Sequence, residues 1–182
     1  MTHRTAVVVT GLPASGKTTL GRKVAIALNF TFLDKDDFLE ELYEQNGVDS
    51  WDERKALSRE ADILFQNAAK ALDRVVLVSH WRGRDAPSDS GTPIEWLTQT
   101  FQNTFEIHCL CVPETATERF FARQRHKGHL DAERDPFAVA QKMKEWSGYY
   151  PLNIGQVVEV DCTQDIGHLP AVDQLRNALP DR

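Results

Sequence analysis

The sequence predicts an α/β fold, a parallel sheet covered by helices on both faces in a three-layer α/β/α sandwich, and three observations predict it. Short runs of β-branched and aromatic residues recur along the chain, and the leading ones are apolar throughout rather than alternating. Longer stretches with apolar residues at steps of three and four separate them. Parallel neighbours need such crossovers, so strand-helix alternation implies helices on the sheet faces. The 182 residues suffice for one self-sufficient core, and neither an internal repeat nor a Pro-, Gly- or Ser-rich linker divides them, so residues 1–182 are expected to form a single domain.

Residues 6–10 (AVVVT) read as the first strand, and residues 17–29 follow with Leu20, Val24, Ala27 and Leu28 at helical spacing. Residues 30–34 (FTFLD) are the second strand. Helices are expected over 36–45 and over 52–72, the latter with a stripe of Leu57, Ala61, Leu64 and Ala68 before Ala71 and Leu72. Residues 75–79 (VVLVS) are the third strand, 93–101 a helix, 105–112 the fourth strand, and 114–125 and 136–146 helices. The fifth strand is 157–161 (VVEVD), and a helix over 168–179 closes the chain. Two polar, Gly-bearing segments break the pattern, 81–92 (WRGRDAPSDSGT) and 126–135 (HKGHLDAERD); loops of this kind carry moving parts, and 126–135 is the candidate lid.

A net charge of −6 supplies no general basic footprint, which argues against long nucleic acid and against a membrane surface as partners. No window approaches the ~20 apolar residues of a membrane span, and Gly11 and Pro13 interrupt the N-terminal apolar stretch before it could serve as a signal segment. A cytoplasmic protein is expected. Cys109, Cys111 and Cys162 form no CxxC pair and have no zinc-finger histidines, so they read as buried thiols in a reducing compartment; in a strand, Cys109 and Cys111 would share a face.

The chemistry begins at Gly11, Leu12, Pro13, Ala14, Ser15, Gly16, Lys17 and Thr18, which match G-x-x-x-x-G-K-[ST] in full between a strand and a helix. The glycines let the backbone curl so that successive N–H groups point inward, and the helix start adds its positive dipole end at the same point. A polyphosphate fits there: ATP on this loop and on Thr19, with Lys17 bridging the β- and γ-phosphates and the Thr18 hydroxyl on Mg²⁺.

After the second strand stand Asp34, Lys35, Asp36 and Asp37. Asp36 or Asp37 can cap the following helix and complement its dipole. A parallel sheet also carries the phosphate loop on this same edge, so the acids face the γ-phosphate. Asp36 is the candidate general base, taking a proton from an attacking hydroxyl, and Asp34 the candidate ligand of metal-bound water.

In order and spacing, GLPASGKTT, FLDKDDF, Asp52-Glu53-Arg54-Lys55, VVLVSHWRGRD, ERFFAR running into HKGH, and VVEVD resemble the bacterial gluconokinases. More loosely the chain is similar to shikimate kinases, chloramphenicol phosphotransferases and the kinase half of polynucleotide kinases. The resemblance covers most of the sequence. It implies a P-loop NTPase fold with a five-stranded parallel sheet in order 2-3-1-4-5, a short lid over ATP, and transfer to a small hydroxyl compound such as gluconate. It also implies Arg54 as a substrate contact, supports Asp34, Asp36 and Arg119 in their motif positions, and allows a monomer or a homodimer. The third strand departs from many relatives by ending in Ser79-His80-Trp81-Arg82, and residues 86–96 have no recognised counterpart.

Beside the phosphate loop, His80 and Arg82 are candidates to line the acceptor pocket, Arg82 reading an anionic group; Trp81 could form a flat wall or simply cover the sheet edge, and Arg84 could join them or stay in solvent. Arg119, Arg123 and Lys127 recur at steps of four with Arg125 between, an arrangement that destabilises an isolated helix unless an anion offsets it. Arg123 is the candidate stabiliser of the transferring phosphoryl group and Arg119 a nucleotide contact, with Glu114, Glu118 or Asp131 as competing partners. His126 and His129 lack a third metal ligand, and Gly128 reads as a lid hinge or helix stop. The leading expectation is an ATP- and Mg²⁺-dependent kinase acting on a small hydroxyl compound. A nucleoside, nucleotide or polynucleotide 5′-hydroxyl kinase and a non-kinase ATP-binding switch or slow ATPase remain as alternatives.

Overall fold

The structure, a computed structural model, describes residues 4–163 and 169–179. Five strands, β1 (Thr5–Thr10), β2 (Thr31–Asp34), β3 (Arg74–Val78), β4 (Asn103–Leu110) and β5 (Gln156–Asp161), form one sheet in the order β2-β3-β1-β4-β5. Every pairing is parallel. The helices are α1 (Lys17–Leu28), α2 (Lys35–Asn46), α3 (Trp51–Lys70), α4 (Glu95–Thr100), α5 (Pro113–Ala122), α6 (Pro136–Ser147) and α7 (Leu169–Ala178). The α7 prediction began at His168, which lies outside the described residues.

Strand periodicity builds the layers. Val7 and Val9 of β1 and Val76 and Val78 of β3 enter a cluster with Leu20 and Val24 of α1 and Val172 and Leu175 of α7. Their neighbours Ala6, Val8, Val75 and Leu77 face the other way, onto Phe65 and Ala69 of α3 and Trp96 and Leu97 of α4. All six β1 residues are buried, as expected of a central parallel strand. Strand order reverses on either side of β1, so the crevice beyond its C-terminal end is where such sheets bind ligands.

Several expectations are corrected. Ala61 of the predicted α3 stripe is buried, but the stripe continues through Phe65 and Ala69, one position on from the predicted Leu64 and Ala68, and Leu64 is 41 % exposed. Trp96 meets the Phe65 ring edge-on and Trp81 meets it at a tilt, so the bulkiest partner decides the helix rotation. Helix α5 ends at Ala122, and Arg123 is extended (φ −77°, ψ 147°). Arg119, Arg123 and Lys127 therefore share no helical face, and their i,i+4 repulsion does not arise. The predicted helix over 93–101 shortens to α4, after Pro93.

The cysteines also differ from expectation: Cys109 and Cys162 form a disulfide and only Cys111 is free. Cys109 lies in β4 and Cys162 directly follows the neighbouring strand, so register brings together two residues 53 apart in sequence. Cys111 lies past the end of β4 and packs with the Leu12 and Phe120 cluster, away from Cys109.

Glu106 is completely buried on β4. It accepts from the backbone N–H groups of Leu152 and Asn153 at 2.8 Å each and from the Thr10 hydroxyl at 2.7 Å, which compensates its desolvation. That carboxylate ties the 150–154 segment to the strand leading into the phosphate loop.

Candidate active site

One cavity of about 720 Å³ opens at the C-terminal edge of the sheet, lined by the phosphate loop, the start of α2, one face of α3, the segment after β3 and the 126–135 segment. Pro13, Ala14, Gly16, Lys17, Thr18 and Thr19 reach its surface. Gly11, Leu12 and Ser15 lie beneath, buried. Gly11 takes φ +132°, and a Cβ there would stand 2.5 Å from the Cys109 carbonyl oxygen, so the loop closes over β4 only with glycine. Gly16, at φ +103°, starts α1, which has no side-chain cap on its first amides. Those amides remain available to an anion.

Lys17 is buried, and its Nζ donates to the carbonyls of Gly11 and Leu12 at 3.0 and 2.6 Å. Burial pulls its pKa down to about 8, against the opposing pull of Asp34 and Asp36. The Thr18 hydroxyl donates to Asp34 Oδ2 at 2.6 Å. Asp34, not Asp36 or Asp37, is the N-cap of α2, its Oδ1 accepting from the Asp36 N–H at 3.1 Å. Burial, with the nearby Asp36, raises the Asp34 pKa to about 6.

Among the described residues no three His, Cys, Asp or Glu side chains gather into a self-contained metal site. Thr18 and Asp34 are nevertheless hard oxygen donors side by side. That is the small protein share a magnesium ion takes when phosphate and water supply the remaining ligands.

Asp36 faces the cavity with its side chain 48 % exposed, in a 2.5 Å ion pair with Arg125. Partial burial pushes its pKa up more than any one neighbour lowers it, but Arg125 together with Lys35, Arg123 and His129 outweighs this and holds the carboxyl below its usual range. Arg125 also reaches Asp131 at 3.3 Å, and Asp131 is shared with Arg123 at 3.8 Å and Arg134 at 3.2 Å. The Nε of Arg123 is buried with no hydrogen-bond partner, and burial lowers the pKa of this guanidinium to about 10. Arg119 lines the cavity but donates to the carbonyls of Cys162 and Thr163 at 2.7 Å each. Lys127 is exposed and outside the cavity lining.

The 126–135 segment forms two short 3-10 turns, Lys127–His129 and Asp131–Glu133, docked on α2. His126 stacks on Tyr43 and bonds Glu44 at 2.7 Å. His129 is fully buried, and burial drops its pKa to about 3, so the neutral ring donates through Nε2 to Glu40 at 2.9 Å. Arg54 donates to the His129 carbonyl at 3.1 Å and lies over the Trp51 ring. Gly128 has an ordinary φ, and a Cβ there would meet the Tyr43 ring at 2.6 Å, so the missing side chain permits close docking.

Trp81 is 1 % exposed and donates to the Val9 carbonyl at 2.9 Å, which makes it core rather than a pocket wall. His80 and Arg82 do line the cavity, whereas Arg84 lies outside it. His80 packs on Trp146, and burial with the nearby Lys17 takes its pKa to about 3. Arg82 holds the Ser90 carbonyl at 3.1 Å. Lys55, Ser58, Arg59 and Asp62, to which the sequence assigned no role in the site, line the cavity from α3 at helical spacing, and Arg134 of the 126–135 segment lines it too. Their i, i+3, i+4, i+7 pattern of polar residues was a signal, although it is also the pattern of a solvated helix face.

Residues 7–148 match a family model described as an AAA domain. No curated protein matches the chain. Among solved structures, a candidate kinase from Chloroflexus aurantiacus superposes with a TM-score of 0.80 at 22 % identity, over 98 % of this chain and 100 % of that one. A gluconokinase from Sinorhizobium meliloti gives 0.63 at 17 % identity, over 98 % and 97 %. A shikimate kinase from Bacteroides thetaiotaomicron gives 0.60 at 18 % identity, over 96 % and 97 %. The fold is thus that of P-loop small-molecule kinases, and no helix among the described residues is long and apolar enough to cross a membrane.

Proposed function

Because this chain belongs to the AAA domain family over residues 7–148 and has a kinase-like P-loop fold, we propose that it transfers the γ-phosphoryl group of ATP to a hydroxyl of a small molecule, with one domain doing the whole reaction. The observation that supports this reading is the convergence of Lys17, the Thr18–Asp34 pair and the Arg125–Asp36 pair on a single cavity with room for two ligands.

The triphosphate is held by the loop amides, the start of α1 and Lys17, which exchanges the Gly11 and Leu12 carbonyls for phosphate oxygens. Thr18 and Asp34 are the residues to hold Mg²⁺, which when bound neutralises charge on the β- and γ-phosphates. Arg123 offers a buried, unpartnered Nε to phosphate oxygens, and Arg119 closes the nucleotide side. Asp36, kept anionic by Arg125, accepts the hydrogen bond of the attacking hydroxyl and orients it. A weak base suffices, because the hydroxyl proton is lost late when the transition state is loose.

Arg54, His80 and Arg82 are assigned to the acceptor. Lys55 and Arg59 line its side of the cavity with no carboxylate partner among the described residues, which favours an acceptor with an anionic group. Sugar acids fit that charge, gluconate first.

A coupled ADP-release screen over sugar acids, nucleosides and aminoglycoside-like alcohols tests the reading. A sugar acid is expected to stimulate ADP release. Asp36→Asn should lower kcat by roughly 10²–10⁴-fold and leave ATP affinity nearly intact. Full activity in Asp36→Asn would remove the base assignment. ATP turnover indifferent to every acceptor would indicate a slow ATPase or switch, and a response confined to nucleosides a 5′-hydroxyl kinase.

A further inference from the structure

Between the two acids of the Asp34-Lys35-Asp36 turn sits a lysine committed to a different helix. Lys35 is buried, and its Nζ donates to Asp62 at 2.8 Å and to Ser58 at 3.0 Å, both on α3. The same Asp62 oxygen accepts from the Thr92 hydroxyl at 2.7 Å, and Thr92 Oγ1 lies 2.5 Å from the Ser79 hydroxyl just past β3. Thr92, itself fully buried, closes the base of the 81–92 segment. Its N–H donates to the His80 carbonyl at 2.8 Å, and its carbonyl accepts from the Arg82 N–H at 2.8 Å. One polar chain thus runs from the segment bearing His80 and Arg82, through α3, to the turn bearing both acids.

Local preference does not explain the lysine. It opens α2, where the helix dipole disfavours a cation. A buried ion pair is also often no more stabilising than an apolar pair of the same volume. What the pair does supply is fixed geometry. A side chain tethered at its far end to two groups on α3 sets the path of the turn. On that path Asp34 reaches Thr18 and the Asp36 N–H, and Asp36 faces the cavity.

We propose that Lys35 and Asp62 are positioning residues for phosphoryl transfer: Asp62, seated by Thr92, holds Lys35 so that Asp34 and Asp36 stay aimed at the phosphate loop, and so couples the 81–92 segment to both acids. The proposal rests on the kinase reading for its catalytic consequence and on geometry alone for the positioning.

Three variants test it: Asp62→Asn, Thr92→Val, and the double change Lys35→Met with Asp62→Leu, which replaces the ion pair by an apolar pair. Asp62→Asn is expected to lower kcat by roughly 10–100-fold with the KM for ATP within about twofold, as outer partners of catalytic groups do. Thr92→Val should do the same more weakly. The double variant should recover the wild-type Tm to within a few degrees without recovering kcat, a split that a purely structural pair would not produce. A second readout needs no turnover. The Asp36 amide, held by Asp34, should exchange its hydrogen about tenfold faster in Asp62→Asn and in the double variant while amides of β1 stay protected. Wild-type exchange at Asp36 overturns the proposal, and so does a double variant that regains both Tm and kcat. If the wild type phosphorylates no acceptor, the kinase reading falls, and the exchange rate alone decides the positioning.

Discussion

At the nucleotide end of the cavity, Lys17 is held by carbonyls five and six residues before it, within a loop that runs straight from β1 into α1. At the end proposed for the acceptor, Arg125 holds Asp36 across 89 residues, Arg54 holds the His129 carbonyl across 75, and Thr92 holds Asp62 across 30. Both ends are polar and partly dry. The first is rigid because its backbone is a single local motif, and the second has order only while four remote segments stay docked. Damage to the nucleotide end should therefore remove function and spare the fold. At the acceptor end, the same size of change should move one ligand's parameters and leave the other's.

The largest effect is expected from Lys17→Ala. Loss of the lysine proposed to bridge the phosphates should lower kcat/KM by at least about 10³-fold, with circular dichroism and oligomer profile unchanged, since Lys17 holds only its own loop. Stopped-flow ATP binding and acceptor phosphorylation would both report it. Transfer within tenfold of wild type would show that the loop is not the phosphate site. Free Lys17 has its pKa lowered to about 8, so ATP affinity of the wild type should weaken as pH rises through 8, and the alanine variant should lack that dependence.

The contrast between the ends also explains what was legible in the sequence. Gly11 to Thr18 is contiguous, and its chemistry is carried by backbone curvature, so the motif and the strand and helix flanking it could be read directly. Apolar runs placed all five strands to within two residues of their ends, because a strand buried on both faces leaves a local trace. The family resemblance supplied the strand order. Arg125 fell off the four-residue spacing that singled out Arg119, Arg123 and Lys127. Nothing in FARQRHKG marks the end of α5 at Ala122, and the extended conformation of Arg123 goes with its reach to Asp131. Asp62 looked like one more charge on an exposed helix until Lys35 and Thr92 arrived from other segments. The Cys109–Cys162 bond depends on the register of β4 against β5, which no spacing rule encodes. Likewise Trp81 is core because the Val9 carbonyl awaits its indole N–H.

Asp34 sits at the seam between the two ends, and its titration should be measurable in the folding equilibrium. Its folded pKa is raised to about 6 from an ordinary 3.8, chiefly by burial. Between those values the folded state binds a proton that the unfolded state has released. The contribution of Asp34 to stability then falls as pH rises from about 4 to 6, by at most about 3 kcal/mol for a shift of this size, against the rise over the same range from His80 and His129, whose folded pKa values of about 3 lie below the ordinary 6.5. Asp34→Asn, which cannot ionise, should lack this falling contribution, so that its stability relative to wild type rises across pH 4–6, and it should be more stable than wild type at neutral pH while losing transfer activity. Urea midpoints across pH 4–7 for both proteins would show it. A wild-type-minus-variant difference in stability that rises over that window would mean Asp34 is stabilised in its charged form, by Thr18 and the Asp36 amide outweighing burial.

The smallest expected effect isolates the acceptor end. Gly128 has an ordinary φ, so alanine there costs nothing in backbone conformation, yet its Cβ would stand 2.6 Å from the ring of Tyr43. Tyr43 is 2 % exposed and packed between α2, α3 and the lid histidines, so it cannot give way. The lid must lift instead, by the ångström or so that restores van der Waals distance. The contacts it would draw out are Arg54 to the His129 carbonyl and Arg125 to Asp36. The side-chain hydrogen bonds of Lys17 and Thr18 go to Gly11, Leu12 and Asp34 and to none of these residues. Gly128→Ala should therefore lower kcat/KM for the acceptor about tenfold, near 1.4 kcal/mol, with the Kd of ATP changed less than about twofold. Tyr43→Leu in the same background should return most of the loss by clearing the space. Equal losses for ATP and acceptor would mean that the lid is fastened to the nucleotide end as firmly as to α2, and the difference in how the two ends are held would disappear.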